Sequence, residues 1–277
     1  MPSFTLTSSR PTLSLAVIAL LSFSISACQQ TSTDAPNSDT KNWACESQDT
    51  PFAYDACHIQ ADALTNGDYS LQLFWQQPNS NEPLLTFDTL LTTLSADQTL
   101  SFAANAGMYN EKFAPIGYTV IEGEEKRALN LKEGGGNFHL LPNGVLWWNQ
   151  SGEVHITESQ AFDKQLKNND EAKPWYATQS GPMLVINDEI HPQFDPNSTS
   201  LKIRNGVGIC SDGSIQFVNT KAPVTFYQFA TLFKGELHCP NALFLDGGIA
   251  SALYAPSIDE EDKKEMGVMI GVVAQND

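Results

Sequence analysis

The sequence predicts an α+β fold: a single mixed domain, strand-rich with few helices, that follows a signal peptide and a flexible tether. Short apolar or β-rich runs, separated by turns of Gly, Asn, Asp and Pro, dominate residues 43–277. Helical periodicity is confined to two segments, and no internal repeat or second low-complexity linker divides this part of the chain. Many strands with a few separate helices are typical of the α+β class.

The predicted strands combine apolar or β-branched composition with a turn signal at one end or both. Between two of them, Pro142-Asn143-Gly144 is typical of a hairpin turn. The strands are expected at residues 69–75, 100–104, 138–141, 145–148, 154–157, 183–186, 204–210, 215–219, 242–245 and 266–273.

One helix is predicted from apolar residues at positions 226, 229, 230 and 233, which share one helical face. Thr225 is a suitable N-cap for it. The phenylalanines on this face are expected in the core rather than in contact with a cofactor. A second helix is expected over residues 159–168.

Residues 1–27 are typical of a secretory signal peptide. Arg10 is their only charge, an apolar stretch follows at 13–23, and small residues precede Cys28. Residues 25–28, ISAC, also resemble the bacterial lipobox, in which the cysteine carries lipid such as palmitate. The alternative is an ordinary secreted protein in which Cys28 happens to follow the cleavage site.

Residues 28–42 are rich in Gln, Thr, Ser, Asp, Asn and Pro, which predicts a disordered tether between the lipid and a domain at 43–277. Two acyl chains give stable anchoring, whereas one gives marginal attachment. Gln29 after the cysteine resembles outer-membrane sorting. We therefore expect a protein of the bacterial cell envelope, attached to the membrane through Cys28 and facing the periplasm or the exterior.

The charge excludes some partners. The chain has a formal net charge of −17, and removal of residues 1–27, which hold Arg10 and no acid, makes it −18. Nucleic acid and anionic lipid headgroups both require a cationic surface, so we expect no nucleic-acid partner.

Four cysteines remain if Cys28 carries lipid, and an oxidising compartment favours disulfides. Three pairings are possible, of which we favour Cys45–Cys57 and Cys210–Cys239. No C-x-x-C or H-E-x-x-H motif is present and the histidines are scattered, so we expect no metal site and no cofactor.

Four segments combine glycine with polar residues at predicted strand ends, where functional residues are frequent. Each of them alone is as well explained by a turn. Asn105 offers a donor and an acceptor, and Gly107 allows close backbone approach. Ser180 is a candidate hydroxyl ligand, but the nucleophile motif G-x-S-x-G is absent. The segments are 105–110 (NAGMYN), 179–182 (QSGP), 204–208 (RNGVG) and 245–251 (LDGGIAS).

Arg204 opens an apolar strand, and a buried arginine needs a carboxylate or an anionic ligand. A structural Arg–Asp pair and a bound phosphate or carboxylate are equally acceptable at this stage. Asp246 ends a strand and precedes Gly247 and Gly248, whose amides can form an anion-binding loop. Residues 133–137, EGGGN, lack a nucleotide fingerprint and predict a rim loop with Asn137 facing the site.

In their order, the four segments resemble the phosphodiester glycosidase family, which includes the animal mannose 6-phosphate uncovering enzyme. The resemblance implies an α+β domain that hydrolyses the bond between a sugar's anomeric carbon and a phosphodiester. It also implies that Asn105, Gly107, Ser180, Gly181, Arg204, Asp246, Gly247 and Gly248 line the site. Residues 105–109 and 205–207 differ from the animal branch, so the sugar is not implied.

Chemistry assigns provisional roles within this set. Arg204 and the glycine-loop amides would hold the phosphodiester charge. Asp246 would stabilise the anomeric centre or activate water, and Asn105 would orient the sugar. The expected partner is thus a glycan-phosphate or another sugar-1-phosphodiester. The alternatives are a non-catalytic envelope lipoprotein that binds glycan or a partner protein, and an unrelated metal-dependent hydrolase.

Overall fold

The computed structural model describes residues 42–168, 173–258 and 265–276. The predicted signal peptide, Cys28 and the whole tether except Asn42 lie outside these residues. Within them the chain forms three antiparallel sheets and a few short helices, which confirms the predicted strand-rich α+β class.

The elements follow one another along the chain with short connections. The strands are β1 (Trp43–Gln48), β2 (Tyr54–Gln60), β3 (Tyr69–Phe74), β4 (Gln98–Asn105), β5 (Thr119–Ile121), β6 (Glu124–Arg127), β7 (Gly144–Trp148), β8 (Val154–Glu158), β9 (Tyr176–Ser180), β10 (Met183–Ile186), β11 (Glu189–Ile190), β12 (Asn205–Ile209), β13 (Ser214–Thr220), β14 (Asn241–Phe244), β15 (Leu253–Tyr254) and β16 (Met269–Gln275). The α-helices are α1 (Ala61–Thr65), α2 (Phe87–Leu91), α3 (Ser159–Asn168) and α4 (Phe226–Thr231).

The strands form a seven-stranded, a four-stranded and a five-stranded sheet. Their orders are β1-β2-β13-β12-β14-β10-β11, β15-β4-β16-β3 and β6-β5-β9-β7-β8. Strands that are distant in sequence are neighbours, for example β2 beside β13 and β4 beside β16. Residues from opposite ends of the chain are thereby brought to the same sheet.

Alternate side chains of many strands enter different apolar layers, because successive residues of a strand point to opposite faces. On β7, Leu146 and Trp148 join a central core with residues of all three sheets, while Val145 and Trp147 pack towards α3. The far face of the seven-stranded sheet packs against α4, and that of the four-stranded sheet against α2. Burial on both faces explains why these strands have continuous apolar sequences.

The predicted helices are confirmed, with one modification. Thr225 caps α4, since its hydroxyl accepts from the Gln228 amide at 3.1 Å while the Gln228 side chain accepts from the Thr225 amide at 2.9 Å. The helix continues as a π-helical turn over Leu232–Glu236, which keeps Phe233 buried. The second helix spans Ser159–Asn168 as predicted.

The predicted strand at 138–141 and its hairpin are wrong. This stretch contains a 3-10 turn, Asn137–His139, and the Asn143 side chain donates to the Phe138 carbonyl at 2.9 Å. Strand β7 already pairs with β8 on one side and with β9 on the other, so neither of its edges is free for a hairpin partner.

Both favoured disulfides are present. Cys45 and Cys57 lie opposite one another on the antiparallel strands β1 and β2. Cys210 follows β12 and Cys239 precedes β14, and these strands are also neighbours. Among the residues described, no helix is long and apolar enough to cross a membrane.

The two disulfides close loops of different length, with sequence separations of 12 and 29 residues. Because the longer loop has more chain entropy to lose, replacing Cys210 and Cys239 by Ser should lower the free energy of unfolding by roughly 3–4 kcal/mol, and replacing Cys45 and Cys57 by roughly 3 kcal/mol. Urea unfolding of each double variant measures this difference. A larger loss from the Cys45–Cys57 pair would contradict the loop-length argument.

Candidate active site

The four glycine-containing segments meet where the three sheets adjoin. Successive backbone amides of residues 244–246, at the end of β14, donate to the carbonyl oxygens of Pro182, Asn205 and Ala106 at 3.0, 3.1 and 3.0 Å. These three carbonyls belong to the other three segments. The chain after β14 is therefore tied to all of them, and the candidate residues are brought together as the sequence order predicts.

Asn105, the last residue of β4, is 1% exposed and is the most highly connected side chain of the site. Its Nδ2 donates to the backbone carbonyl of Asp246. Its Oδ1 accepts from Nδ2 of Asn205 at 2.6 Å and from the amide of Ala252 at 2.9 Å. These contacts hold the loop that carries Asp246. The proposed role of Asn105 in orienting a sugar remains a prediction.

The carboxyl group of Asp246 is partly buried at the start of this loop. Burial penalises its charged form and raises its pKa to about 7. At neutral pH both protonation states are thus populated, which is a property frequent in catalytic carboxyl groups and rare elsewhere on a protein surface.

Arg204 precedes β12 and is 2% exposed. Its Nε donates to the Val224 carbonyl at 2.9 Å and its Nη2 to the Ser200 carbonyl at 3.2 Å. Its guanidinium carbon lies 3.6 Å from the centre of the Phe226 ring. Burial lowers the pKa of Arg204 to about 10, so the side chain stays cationic at neutral pH.

The structural Arg–Asp pair considered above is absent, since none of the acidic residues within the described ranges forms an ion pair with Arg204. The carbonyls of Val224 and Ser200 satisfy two of its nitrogens without neutralising its charge. Nη1 takes part in neither bond.

Gly107 and Gly247 occupy positions with no room for a side chain. A Cβ on Gly107 would lie 2.5 Å from Oγ1 of Thr178, and one on Gly247 would lie 2.5 Å from the Phe244 ring. The Gly107 amide also donates to Oγ1 of Thr178 at 3.1 Å. These glycines let the loops pack closely on β9 and β14, which is a structural reason for glycine independent of any ligand.

The predicted cradle of glycine-loop amides needs correction. The amides of Leu245, Asp246 and Gly248 already donate to carbonyl oxygens, the last to Ile203 at 2.9 Å. Among residues 245–248, the amide of Gly247 alone takes part in no hydrogen bond within the part of the chain described. Packing against two segments occupies the other donors: the carbonyls of Ile203 and Asn205 flank Arg204, and that of Ala106 follows β4.

Ser180 ends β9, Gly181 follows it, and both border the same region. The Ser180 side chain is fully buried, and its Oγ lacks a hydrogen-bond partner among the residues described. Pro182 follows Gly181 through a cis peptide bond and accepts the amide of Phe244. Ser180 therefore remains a candidate hydroxyl ligand.

Asn137 lies on the 3-10 turn of the rim loop and is exposed. The carbonyl of its neighbour Phe138 lies 2.9 Å from where a Cβ on Gly181 would be, so the loop borders the Ser180–Gly181 turn. The Asn137 side chain itself makes no hydrogen bond to another described site residue. Its assignment to the site stays a prediction.

Two neighbours of the candidate site had no functional role assigned from the sequence. Tyr109 is one, because burial and then the negative charge of Asp246 raise its pKa to about 12. Phe226 is another: it packs against the core as predicted, but it is partly exposed and also lies against Arg204. Tyr109 belongs to the 105–110 segment and could have been selected there, whereas no signal in the sequence connects Phe226 with Arg204.

No group of three or more His, Cys, Asp or Glu residues able to hold a metal ion is found in the described ranges. Among the described residues, the charges of Asp246 and Glu265 both act on Tyr109, and Arg204 lies on the neighbouring segment, its Cα 3.4 Å from where a Cβ on Gly247 would be.

The chain is similar to solved structures at low sequence identity. The catalytic domain of zebrafish N-acetylglucosamine-1-phosphodiester alpha-N-acetylglucosaminidase is 12% identical with a TM-score of 0.56, covering 85% of this chain and 82% of that chain. A hypothetical protein from Synechocystis is also 12% identical with a TM-score of 0.56. The match covers 84% of this chain and 62% of that chain, so this chain spans less than two thirds of its length. These likenesses show a shared fold.

Sequence comparisons identify the family. An uncharacterised Escherichia coli K12 protein, YigE, is 36% identical over 205 residues, which are 72% of this chain and 78% of that protein. The sequence model of the phosphodiester glycosidase family matches residues 98–273, a range that includes all four site segments. The chain belongs to the phosphodiester glycosidase family.

Proposed function

We propose that this protein hydrolyses the glycosidic bond of a sugar-1-phosphodiester. The observation that carries the proposal is a carboxyl group with a pKa of about 7, Asp246, on a loop that packs directly against a buried arginine without an acidic partner. A Cβ on Gly247 would lie 3.4 Å from the Cα of Arg204. Membership of the phosphodiester glycosidase family supports the same reaction class.

Arg204 is the group suited to the phosphodiester. A phosphodiester carries one negative charge, and a guanidinium with an unneutralised charge in a buried setting attracts it strongly. The amide of Gly247 and the hydroxyl of Ser180 are donors not used by the residues described, and they supplement Arg204. Together they favour a monoanionic substrate over a neutral glycoside.

Asp246 acts at the anomeric carbon. In its carboxylate form it stabilises positive charge as the bond between the anomeric carbon and the phosphate oxygen breaks, or removes a proton from the attacking water. The water oxygen becomes the sugar hydroxyl, and the phosphate monoester leaves with the bonding electrons. Because a phosphate monoester is a good leaving group, the reaction needs no strong general acid, which fits a site in which a second carboxylate has not been assigned.

The proposal includes a location at the bacterial envelope, with lipid on Cys28 and the domain facing the periplasm or exterior. Two disulfides support an oxidising compartment. The lipobox-like residues 25–28 and the polar stretch at 28–42 support an anchor and a tether. The substrate is then an envelope or environmental glycan-phosphate.

Variants of the two charged groups test the activity. The protein should release free sugar from one member of a panel of sugar-1-phosphodiesters, identified by product analysis. Asp246→Asn and Arg204→Ala should each lower kcat/KM by roughly 100-fold or more, since each removes a charge used in the transition state.

The matched controls are Asp212→Asn and Arg127→Ala, which change the same residue types outside the site and should leave kcat/KM within about two-fold. Full activity of both site variants would overturn the site. Saturable binding of sugar phosphates without turnover would favour a non-catalytic binding protein, and activity lost to a chelator would favour a metal-dependent hydrolase.

The pH dependence follows from the raised pKa of Asp246, which is about 7. Since the proposed role requires the carboxylate, kcat/KM should rise as pH increases through about 7 and then level off. A pH–rate profile between pH 5 and 9 measures this. Activity that falls through the same interval would show that the protonated form is required, and would reverse the role of Asp246.

The anchor is tested by Cys28→Ser, which removes the thiol that would carry lipid. The wild-type protein should sediment with membranes and require detergent for release, because two acyl chains anchor stably. The Cys28→Ser variant should lose that attachment or remain unprocessed with its apolar leader, and it should incorporate no labelled palmitate. Palmitate incorporation unaffected by the substitution would contradict the assignment of the lipid to Cys28.

A further inference from the structure

Arg204 is a buried cation in a strongly acidic chain, which holds 32 Asp and Glu against 15 Lys and Arg. A buried arginine ordinarily pairs with a carboxylate, because an uncompensated charge is costly to remove from water. Among the residues described, none of these acids pairs with it. Another feature of the fold must therefore stabilise and orient the guanidinium.

That feature is a column of stacked rings, which we name the aromatic column: Phe226, Phe194 and His191. The guanidinium carbon of Arg204 lies 3.6 Å above the centre of the Phe226 ring. Phe226 stacks on Phe194 at 5.0 Å with an interplanar angle of 7°, and Phe194 stacks on His191 at 4.6 Å and 21°. The cation thus lies on one end of a continuous stack.

Two further contacts fix the guanidinium in its plane. The carbonyls of Val224 and Ser200 accept from Nε and Nη2, as described above. The Phe244 ring stands perpendicular to Phe226, at 4.9 Å and 84°, and its centre is 5.7 Å from the guanidinium carbon. Phe244 is also the ring against which Gly247 packs. Phe244 therefore contacts both the aromatic column and the loop that carries Asp246.

The far end of the column carries no second positive charge at neutral pH. His191 is 1% exposed, and its burial lowers its pKa, so the imidazole is neutral. A ring face attracts a cation through its quadrupole and leaves the net charge of the cation intact. A carboxylate would hold Arg204 equally well, but it would neutralise that charge and compete with an anionic substrate.

The position of Phe226 also separates it from the other phenylalanines of its helix. Phe229 and Phe233 are 0% exposed and belong to the core, whereas Phe226 is partly exposed. Phe226 packs against this apolar cluster from its edge, and of the three phenylalanines it is the one whose ring contacts Arg204.

We propose that Phe226, supported by Phe194, is a positioning residue that holds Arg204 flat and fully charged beside the Asp246 loop, in place of a carboxylate. This inference rests on the proposed function, in which Arg204 binds the phosphate group of the substrate. Phe226 itself touches Arg204 and acts through it.

Binding of inorganic phosphate to the full chain, measured by calorimetry, tests the proposal. Phe226→Leu should weaken phosphate binding roughly 10-fold, because a desolvated cation–π contact of this kind is lost. Phe226→Tyr keeps the ring and should bind within about two-fold of the wild type. Phe233→Leu is the matched control, since it removes an aromatic ring from the same apolar cluster without a contact to Arg204, and it too should stay within about two-fold.

A second measurement does not depend on activity. It uses ¹H–¹⁵N spectra of the arginine side chains, in which the Arg204 signal is identified by its loss in Arg204→Lys. The Hε resonance of Arg204 should show a ring-current shift from Phe226. Phe226→Leu should remove this shift, and Phe226→Tyr should retain it. Phosphate binding and resonance unchanged in Phe226→Leu would overturn the proposal. An equal loss of phosphate binding in Phe233→Leu would also overturn it, because general packing would then explain the effect.

The outcomes separate this inference from the proposed function. If the wild type neither binds phosphate nor cleaves any sugar-1-phosphodiester, the proposed function fails, while the Hε resonance still decides whether Phe226 holds Arg204. If the wild type binds phosphate and cleaves a sugar-1-phosphodiester, and Phe226→Leu does so equally well, then the positioning role of Phe226 fails and the proposed function stands.

Discussion

The buried carboxamide of Asn105 is the interaction on which the geometry of the site depends. It joins the end of β4 to β12 through Asn205, and to the chain after β14 through Asp246 and Ala252. Strand β4 belongs to the four-stranded sheet, whereas β12 and β14 belong to the seven-stranded sheet. One side chain therefore connects two sheets. A buried amide that lost any of these partners would retain an unsatisfied polar group, so the loop has little freedom to move away.

The third sheet is attached two residues after Asn105. The amide of Gly107 donates to Thr178 on β9, and the absence of a side chain allows the two backbones to approach. The site thus lies at the junction of three layers that are held together by polar bonds between strand ends. This arrangement leaves few spare backbone donors, which explains why one amide among residues 245–248, that of Gly247, has no hydrogen bond within the described residues and the predicted cradle is missing.

Burial penalises the charged forms of both Asp246 and Arg204 and therefore shifts their pKa values in opposite directions. It raises the pKa of Asp246 to about 7 and lowers that of Arg204 to about 10. At neutral pH the arginine keeps its charge while the carboxyl group is partly protonated, so the site is less negative than the rest of an acidic protein. Under the proposed function, this lower negative charge favours binding of the anionic phosphodiester.

Much of this could be predicted from the sequence, and the exceptions have physical reasons. Strands buried on both faces, such as β7 and β14, have continuous apolar sequences, and α4 has a clear helical period. The sequence does not predict strand β9, because its last three residues, 178–180, are polar. Their burial depends on partners distant in sequence, as when Gln179 bonds to Tyr118 and Asn130. Strand β6, with the sequence EEKR, is a charged edge strand without an apolar pattern.

The candidate site could likewise be predicted only in part from the sequence. Asn105, Arg204 and Asp246 lie at the ends of apolar strands, where a turn explains each equally well, and the order of their segments, which resembles the phosphodiester glycosidase family, selected them. The structure does bring these segments together. Their partners were not identifiable. That Phe226 replaces a carboxylate beside Arg204, and that Ile203 uses the amide of Gly248, depends on tertiary contacts that leave no local pattern.

The most direct test of the central claim uses a sugar-1-phosphodiester that the protein cleaves. The reaction is run in ¹⁸O-labelled water, and the product that carries the label is identified. Attack at the anomeric carbon, the reaction proposed for Asp246, places the label on the C1 hydroxyl of the released sugar, and the phosphate monoester remains unlabelled. Label in the phosphate would show that the bond to phosphorus is cleaved instead, and would contradict the assignment of this site to glycosidic cleavage.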